Sequence, residues 1–340
     1  MISRGTARMA ACLLAAGVLA AACASSASDS GGTSAGSKTV SAADVAKVTL
    51  HVGDQAGTGA EALLTAAGLI SKLPFKVAWS DFTSGPPMLQ AMGSGAIDIG
   101  GVGDAPPVFA AAAGEKIAVV GALQANPLGA AVVVPKGSPI KSVAQLRGKK
   151  IAVAEGSSAD YHLLAVLKKA GLTPKDVTLQ YLQPAQALAA FSSGHVDAWD
   201  IWSPYIEQVT AQDGARILVN GTSIGNTYSF EVASRAALAD PAKAAAIRDY
   251  IKLVNQAHAW SNSHQPAWAT VWAKATGLSD AIMTKAAADD TSSAVPIDAT
   301  VVKSEQNIAD AFSSAGLIPG QVDFANFSTS QYNSLVGGSS

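Results

Sequence analysis

Cysteine is nearly absent from this chain: of 340 residues only Cys12 and Cys23 carry a thiol. Past position 23 no internal disulfide can form, so an exported domain of this sequence must be held by its core alone. Charge is scarce as well. Asp, Glu, Lys and Arg make up 14% of the residues and the formal net charge is -2, which excludes the basic footprint of a nucleic-acid binder and argues against a polyanion partner. The five histidines (His51, His162, His195, His258 and His264) show no metal-ligand spacing, because His258 and His264 stand six apart with no third partner. His258 reads as a helix-face residue. No Gly-x-Ser-x-Gly elbow occurs, and no cysteine nucleophile follows Cys23, so the usual groups for nucleophilic catalysis are lacking. Asp197 and Asp200, three apart beside a strand, read as one buried and one surface carboxylate rather than a catalytic pair. Gly101-x-Gly103 lacks the third glycine of a dinucleotide loop and is followed by Pro106-Pro107. Long apolar runs are missing too. The run over 10–22 is about 13 residues, too short to cross a bilayer of roughly 30 Å, and no later segment reaches ~18.

That short run does have an export context. Arg4 and Arg8 precede it, and Leu19-Ala20-Ala21-Ala22 lead into Cys23, the pattern of a bacterial lipobox with its leucine displaced by one position. Residues 1–22 are expected to be a lipoprotein signal peptide with Cys23 as lipid acceptor; simple secretion with a free Cys23 is the alternative. Residues 23–44 are mostly Ser, Gly, Ala and Thr and read as a flexible tether. The expected location is the outer face of the cytoplasmic membrane, reached by export and held there by lipid only.

From Val48 onward short apolar strands alternate with helical patterns. Strands are expected over 48–52, 75–79, 97–101, 117–120, 130–134, 151–154, 177–181, 198–201, 217–219 and 230–234. Helices are expected over 60–72, 87–92, 106–113, 161–170, 185–192, 241–261, 268–275, 281–289 and 304–315. The rhythm argues for an α/β fold with largely parallel sheets. Two such runs, joined by crossings near Gln124–Gly129 and Gly225–Ser229, suggest lobe 1 over 45–126 and 229–340 and lobe 2 over 127–228. Ligands of open α/β sheets sit beyond the carboxyl ends of the strands, so facing lobes share one cleft.

The strand-to-helix loops are rich in Gly, Ser, Asp and Pro: 53–59, 83–87, 101–107, 155–160 and 199–205. Glycine admits close backbone approach, and each loop feeds a helix start whose free N–H groups favour negative charge. Each start contributes about 0.3–1 kcal/mol toward an anion, so several converging ones make a site without lysine or arginine. Taken singly, each Ser or Asp reads as a helix cap. Trp268 and Trp272, i,i+4 on a helix, read as core; Trp199 as buried in its lobe, and Trp202 as cleft-lining.

Several segments together carry a resemblance: 103–110 (Gly-Asp-Ala-Pro-Pro-Val-Phe-Ala), 132–140, 143–150, 156–159 (Gly-Ser-Ser-Ala), 169–172, 196–199, 202–205 (Trp-Ser-Pro-Tyr) and 228–230. In this order the chain from about Val48 to Arg235 resembles the sulfonate, nitrate and taurine-binding proteins of ABC importers, and most of all the aliphatic-sulfonate binders. The resemblance implies a type II periplasmic-binding-protein fold, α/β, with two lobes around a ligand cleft. It places Gln55, Gly103, Asp104, Ser157, Ser158, Trp202 and Tyr228 at the ligand, and the loop chemistry adds Gly85. Where relatives often carry an aromatic and a lysine around the glutamine, this chain has Asp54 and Ala56; where they have His it has Asp160, and Asp200 precedes Trp202-Ser203-Pro204-Tyr205. Asp54, Asp160 and Asp200 therefore join the candidates, either as partners for an ammonium or as caps turned away.

The implied function is capture of an alkanesulfonate or taurine and its delivery to ABC permease subunits. The protein would act as a monomer, without cofactor, metal or nucleic acid, and not as an enzyme. Binding of nitrate, bicarbonate or another small anion, or a ligand-sensing module, are the alternatives.

Overall fold

The computed structural model describes residues 40–55, 59–224 and 227–337. The leader, Cys23, the tether through residue 39, loop residues 56–58 and crossing residues 225–226 lie outside the described residues.

The first α/β run comprises α1 (Ala42–Val45), β1 (Thr49–Gln55), α2 (Ala60–Ala66), β2 (Lys76–Phe82), α3 (Gly85–Gly93), β3 (Ile99–Gly103), α4 (Ala105–Ala112) and β4 (Ile117–Ala125). The chain then crosses to β5 (Ala130–Val134), β6 (Lys150–Val153), α5 (Ser158–Lys169), β7 (Thr178–Tyr181), α6 (Pro184–Ser192), β8 (Ala198–Trp202), α7 (Tyr205–Gln212) and β9 (Arg216–Asn220). It returns with β10 (Thr227–Ser234), α8 (Arg235–Ala239), α9 (Pro241–Ser263), α10 (Gln265–Thr276), α11 (Asp280–Asp289), β11 (Ser292–Val295) and α12 (Ala299–Ala315).

These strands form two sheets. One has the order β11-β4-β10-β3-β1-β2, the other β7-β6-β8-β5-β9. Within each sheet the βαβ pairs are parallel: β1 with β2 and β3, and β6 with β7 and β8. The strands that follow the crossings, and the edge strand β11 beside β4, are the exceptions to the parallel expectation. β5 runs antiparallel to both β8 and β9, and β10 to both β3 and β4. A chain arriving from the other sheet enters at the end where the βαβ strands finish, so its first strand has to run backwards. β10 begins at Thr227, two residues before the expected return.

Each sheet is covered on both faces, which is why central strands such as β5 read as a continuous apolar run with Val132, Val133 and Val134 fully buried. Leu50, Val52 and Ile99 pack one face of the first sheet against Tyr250, Val254 and Trp272 of the helical tail. Met88, Val102 and Val108 pack the other face against Ile308 and Phe312 of α12. In the second sheet Val132 and Ile151 face Leu163 and Leu167 of α5, while Trp199 and Ile201 face Phe191 and Val209. Trp199, Trp268 and Trp272 are buried, and the latter two stack with centroids 5.0 Å apart. No described helix is long and apolar enough to cross a membrane.

Caps and stops explain where the elements differ from expectation. α2 ends at Ala66 instead of running to 72, because Gly68 takes φ +67 and the Leu69 N–H turns back to the Leu64 carbonyl. α12 starts five residues early, where the Asp298 carboxylate accepts from the N–H groups of Thr300 and Val301. α5 starts at Ser158 rather than 161, with Ser157 as its cap. The short helix α7 and the edge strand β11 were not expected at all.

Candidate functional site

A cavity of about 260 Å³ lies between the two sheets, just below the ~300–1,000 Å³ that holds drug-sized ligands. Its wall is built from the ends of β1, β3 and β8, the starts of α2, α3, α4 and α5, and both crossings, so residues of both sheets share it. The sheets also meet outside it: the hydroxyls of Thr83 and Ser84 donate to Gln183 Oε1 at 2.8 and 2.9 Å.

On the first sheet, β1 delivers Asp54 and Gln55 to the wall. The Asp54 carboxylate accepts the N–H groups of Gln55, Ala60 and Glu61 at 3.1, 2.8 and 3.1 Å, so it ties the loop to the first turn of α2. Burial pushes its pKa up to about 6 against those three hydrogen bonds. Gln55 Nε2 donates to the Gly101 carbonyl at 3.1 Å. Gly85 opens α3 on the wall, and Gly103 and Asp104 open α4. Asp104 is 4% exposed. Burial raises its pKa to about 6, opposed by a hydrogen bond from the Ser158 hydroxyl, and its Oδ1 has no partner. Gly103 is required by the close approach of the two sheets: a Cβ there would meet Ser158 Oγ at 1.9 Å.

The helix starts differ as donors. α3 begins Gly85-Pro86-Pro87 and α4 begins Ala105-Pro106-Pro107, so each keeps a single N–H in its first three positions. α5 begins Ser158-Ala159-Asp160 under the Ser157 cap. The Asp160 N–H returns to Ser157, which leaves those of Ser158 and Ala159 free of helical acceptors. The convergence expected from the loops is thus uneven, and α5 is the richest donor.

Of the sequence candidates, Asp54, Gln55, Gly85, Gly103, Asp104, Ser157, Ser158, Trp202 and Tyr228 all line the cavity. Asp160 and Asp200 do not, and here the geometry departs from the expectation. Asp160 Oδ2 accepts the Gly156 N–H at 3.0 Å, a link that closes the loop before α5, and burial raises its pKa to about 7. Asp200 is fully buried on the β8 face that packs under α5, with both oxygens on His162 Nδ1 at 3.0 and 2.8 Å.

Other cavity residues, among them His162, Glu231, Asn126, His258 and Asp290, were missing from the expectation. His162 is 1% exposed and lines the wall, and its Nε2 has no hydrogen-bond partner. Burial by itself depresses the imidazole pKa, but Asp200, the Asn220 carbonyl and Asp104 together leave it raised. Glu231 sits on β10 at 4% exposure with Oε2 unpartnered, and burial pushes its pKa up to about 8. Asn126 lines the first crossing. His258 reaches the cavity from α9 with Nδ1 2.9 Å from Ser292 Oγ, and burial lowers it to about 4. The sequence did hold a signal for two of these. His162 follows Ser158 by one helical turn, and Glu231 interrupts an apolar strand.

Among the described residues no lysine or arginine lines the cavity. Among the described residues no three His, Cys, Asp or Glu side chains form a group able to hold a metal. The side-chain types of a hydrolytic triad come together in Ser158, His162 and Asp200, but Ser158 hydrogen-bonds to Asp104 and His162 Nε2 to nothing, so the Ser–His link is missing.

The family described as NMT1/THI5 like matches residues 83–262. A protein of Escherichia coli (strain K12) described as aliphatic sulfonates-binding is 36% identical over 285 residues, 83% of this chain and 89% of its own length. The solved alkanesulfonate-binding protein SsuA from Xanthomonas axonopodis pv. citri, bound to MOPS, superposes with a TM-score of 0.76 at 36% identity, covering 83% of this chain and 98% of that one. The desulfurization enzyme DSZB shares the fold alone, at 17% identity, 85% and 98% coverage and a TM-score of 0.61. The architecture is that of the periplasmic binding proteins, with two lobes built on the two sheets.

Proposed function

Because the chain belongs to the NMT1/THI5-like family, alongside aliphatic sulfonates-binding proteins, we propose that it captures a small organosulfonate in the inter-sheet cavity and delivers it to the permease of an ABC importer. The observation that carries this reading is the donor-rich start of α5 on a small cavity wall shared by both lobes. A sulfonate spreads one charge over three acceptor oxygens, which suits several N–H and O–H donors better than one point charge. The ligand bridges both lobes, so binding stabilises the closed shape that a permease reads. The lobes of this reading are 45–126 with 229–340, and 127–228, swinging on the crossings. Of the candidates, Asp54, Asp160 and Asp200 act as structural supports, and the others touch the solute.

Not acting as an enzyme belongs to the same reading: among the described residues the wall holds no cysteine, and its hydrogen-bonded Ser–His pair, Ser292 with His258, has an imidazole that burial lowers to about 4, too weak a base to activate a hydroxyl. So do export, attachment through acylated Cys23 and a tether, and action as a monomer; palmitate labelling lost in Cys23→Ala tests the anchor.

A second reading has its own observation. Glu231 Oε2 and Asp104 Oδ1 are buried at the cavity without partners, and an ammonium satisfies such oxygens. An aminosulfonate such as taurine then lies with its sulfonate on α5 and its ammonium toward β10. Calorimetric titration with ethanesulfonate, taurine, nitrate and bicarbonate tests both readings. We expect a sulfonate to bind at least about 100-fold more tightly than nitrate or bicarbonate, a gap of ~2.7 kcal/mol. Taurine ahead of ethanesulfonate selects the zwitterion, and a sulfonate panel with no binding overturns the function.

A further inference from the structure

We propose that His162 is the cationic ligand-binding residue of this cavity, presenting Nε2–H to the sulfonate, and that Asp200 is its positioning residue. The inference rests on the sulfonate-capture reading and names a residue which that reading does not require.

Three observations meet here. The imidazole lines the cavity yet is 1% exposed. One ring nitrogen is committed, since Nδ1 is held by both oxygens of a fully buried carboxylate. The other nitrogen, Nε2, is buried without a hydrogen bond of normal geometry, although the Asn220 carbonyl acts on the ring. An unsatisfied buried donor bears its full desolvation cost, so a native structure keeps one where a ligand completes it.

Helix geometry places the ring where an anion would lie. His162 is four residues after Ser158, on the same face of α5. Side chains on a helix lean toward its N-terminus, so the ring leans toward the turn carrying the free N–H groups of Ser158 and Ala159. Asp200 reaches Nδ1 because alternation along β8 sends Trp199 and Ile201 to one face and Asp200 to the α5 face. With Nδ1–H donated to Asp200, the second proton can reside only on Nε2.

The surrounding charges favour that second proton. Facing the ring are Asp200 from β8, the Asn220 carbonyl from β9 and Asp104 from the start of α4, which together outweigh burial. On its own helix Asp160 interacts with Asp200, and Glu305 of α12 acts on Asp104. Among the described residues no lysine or arginine lines the cavity, so a protonated His162 supplies the positive charge that a sulfonate would meet there.

Calorimetry with ethanesulfonate at pH 5.5 and 8.5, on the unmodified chain and on His162→Gln and Asp200→Asn, tests the assignment. His162→Gln is expected to weaken binding about 10- to 100-fold at pH 5.5, the loss of one charged hydrogen bond. Asp200→Asn removes the carboxylate that raises the His162 pKa and leaves burial to depress it, so the ring holds its second proton only at lower pH than in the unmodified chain. Its affinity is expected to fall more at pH 8.5 than at pH 5.5, a split that a merely structural residue does not give. Should both variants unfold, 15N-histidine NMR of the unmodified chain decides: ethanesulfonate drives His162 toward the doubly protonated form at pH 8.5. Binding by the unmodified chain together with unchanged affinity in His162→Gln, or with no shift of the ring signal, overturns this assignment alone. No ethanesulfonate binding by the unmodified chain overturns the capture reading and the assignment with it.

Discussion

The starts of α4 and α5 occupy equivalent places, each at the end of a strand, on the same cavity and within contact of one another. Their chemistry is opposite. α4 follows its strand with Asp104-Ala105-Pro106-Pro107, which buries a carboxyl and deletes two N–H donors. α5 follows its loop with Ser157-Ser158-Ala159-Asp160, which keeps two N–H donors, adds a hydroxyl and stands one turn before His162. The topology therefore supplies two positions for an anion, and the two residues after the first helical position decide which is used. The first lobe's wall closes the cavity and carries acid; the second lobe's wall is the one we propose for the sulfonate.

Gly103→Leu breaks the comparison most severely. Ser158 Oγ lies 1.9 Å from the Cβ position, so a leucine wedges the two helix starts apart. We expect ethanesulfonate affinity to fall at least about 100-fold, the strain of an overpacked contact, while the thermal midpoint stays close to that of the parent. Retained affinity would show that the walls need not meet.

Asp104→Asn sharpens the contrast in stability. The folded pKa of Asp104 is raised to about 6 from 3.8, so the folded state holds its proton longer than the unfolded chain. Stability then falls as pH rises from about 4 to about 6 and stays level above that, by roughly 2–3 kcal/mol from this group. Urea unfolding is expected to show the variant more stable than the parent at pH 7.5 and equal to it at pH 3.5. Equal stability at both values would place Asp104 in contact with water.

Ser158→Ala removes a donor from the second wall and is expected to weaken ethanesulfonate about tenfold, as one hydrogen bond to a charged group. Asp160→Asn is expected to change affinity by less than about twofold, because its carboxylate serves the Gly156 N–H. A tenfold loss in Asp160→Asn would return that residue to the ligand.

Much of the fold was legible because apolar strands and amphipathic helices differ in period. The antiparallel strands after the crossings were not, since β5 and β10 have the same composition as parallel neighbours and only their arrival from the other sheet sets their direction. The end of α2 was written in Gly68 and the start of α12 in Asp298, local signals outweighed by the apolar pattern around them. Within the site, the loops announced Asp54, Gln55, Gly103, Asp104, Ser157 and Ser158, because loop composition is visible along the chain. His162 was hidden. A histidine inside a helix looks like a packed core residue until the fold brings Asp200, 38 positions away, to its Nδ1. Asp200 in turn looked like a ligand contact because only the face of β8 it occupies shows that it stands behind the histidine.

A crystal structure of the chain with ethanesulfonate is the most direct test. The sulfonate oxygens should lie within hydrogen-bond distance of the Ser158 and Ala159 N–H groups and of His162 Nε2, with both lobes in contact with the ligand. Density for the sulfonate against one lobe only, or beside α3 and α4 with His162 Nε2 still unpartnered, would contradict this account.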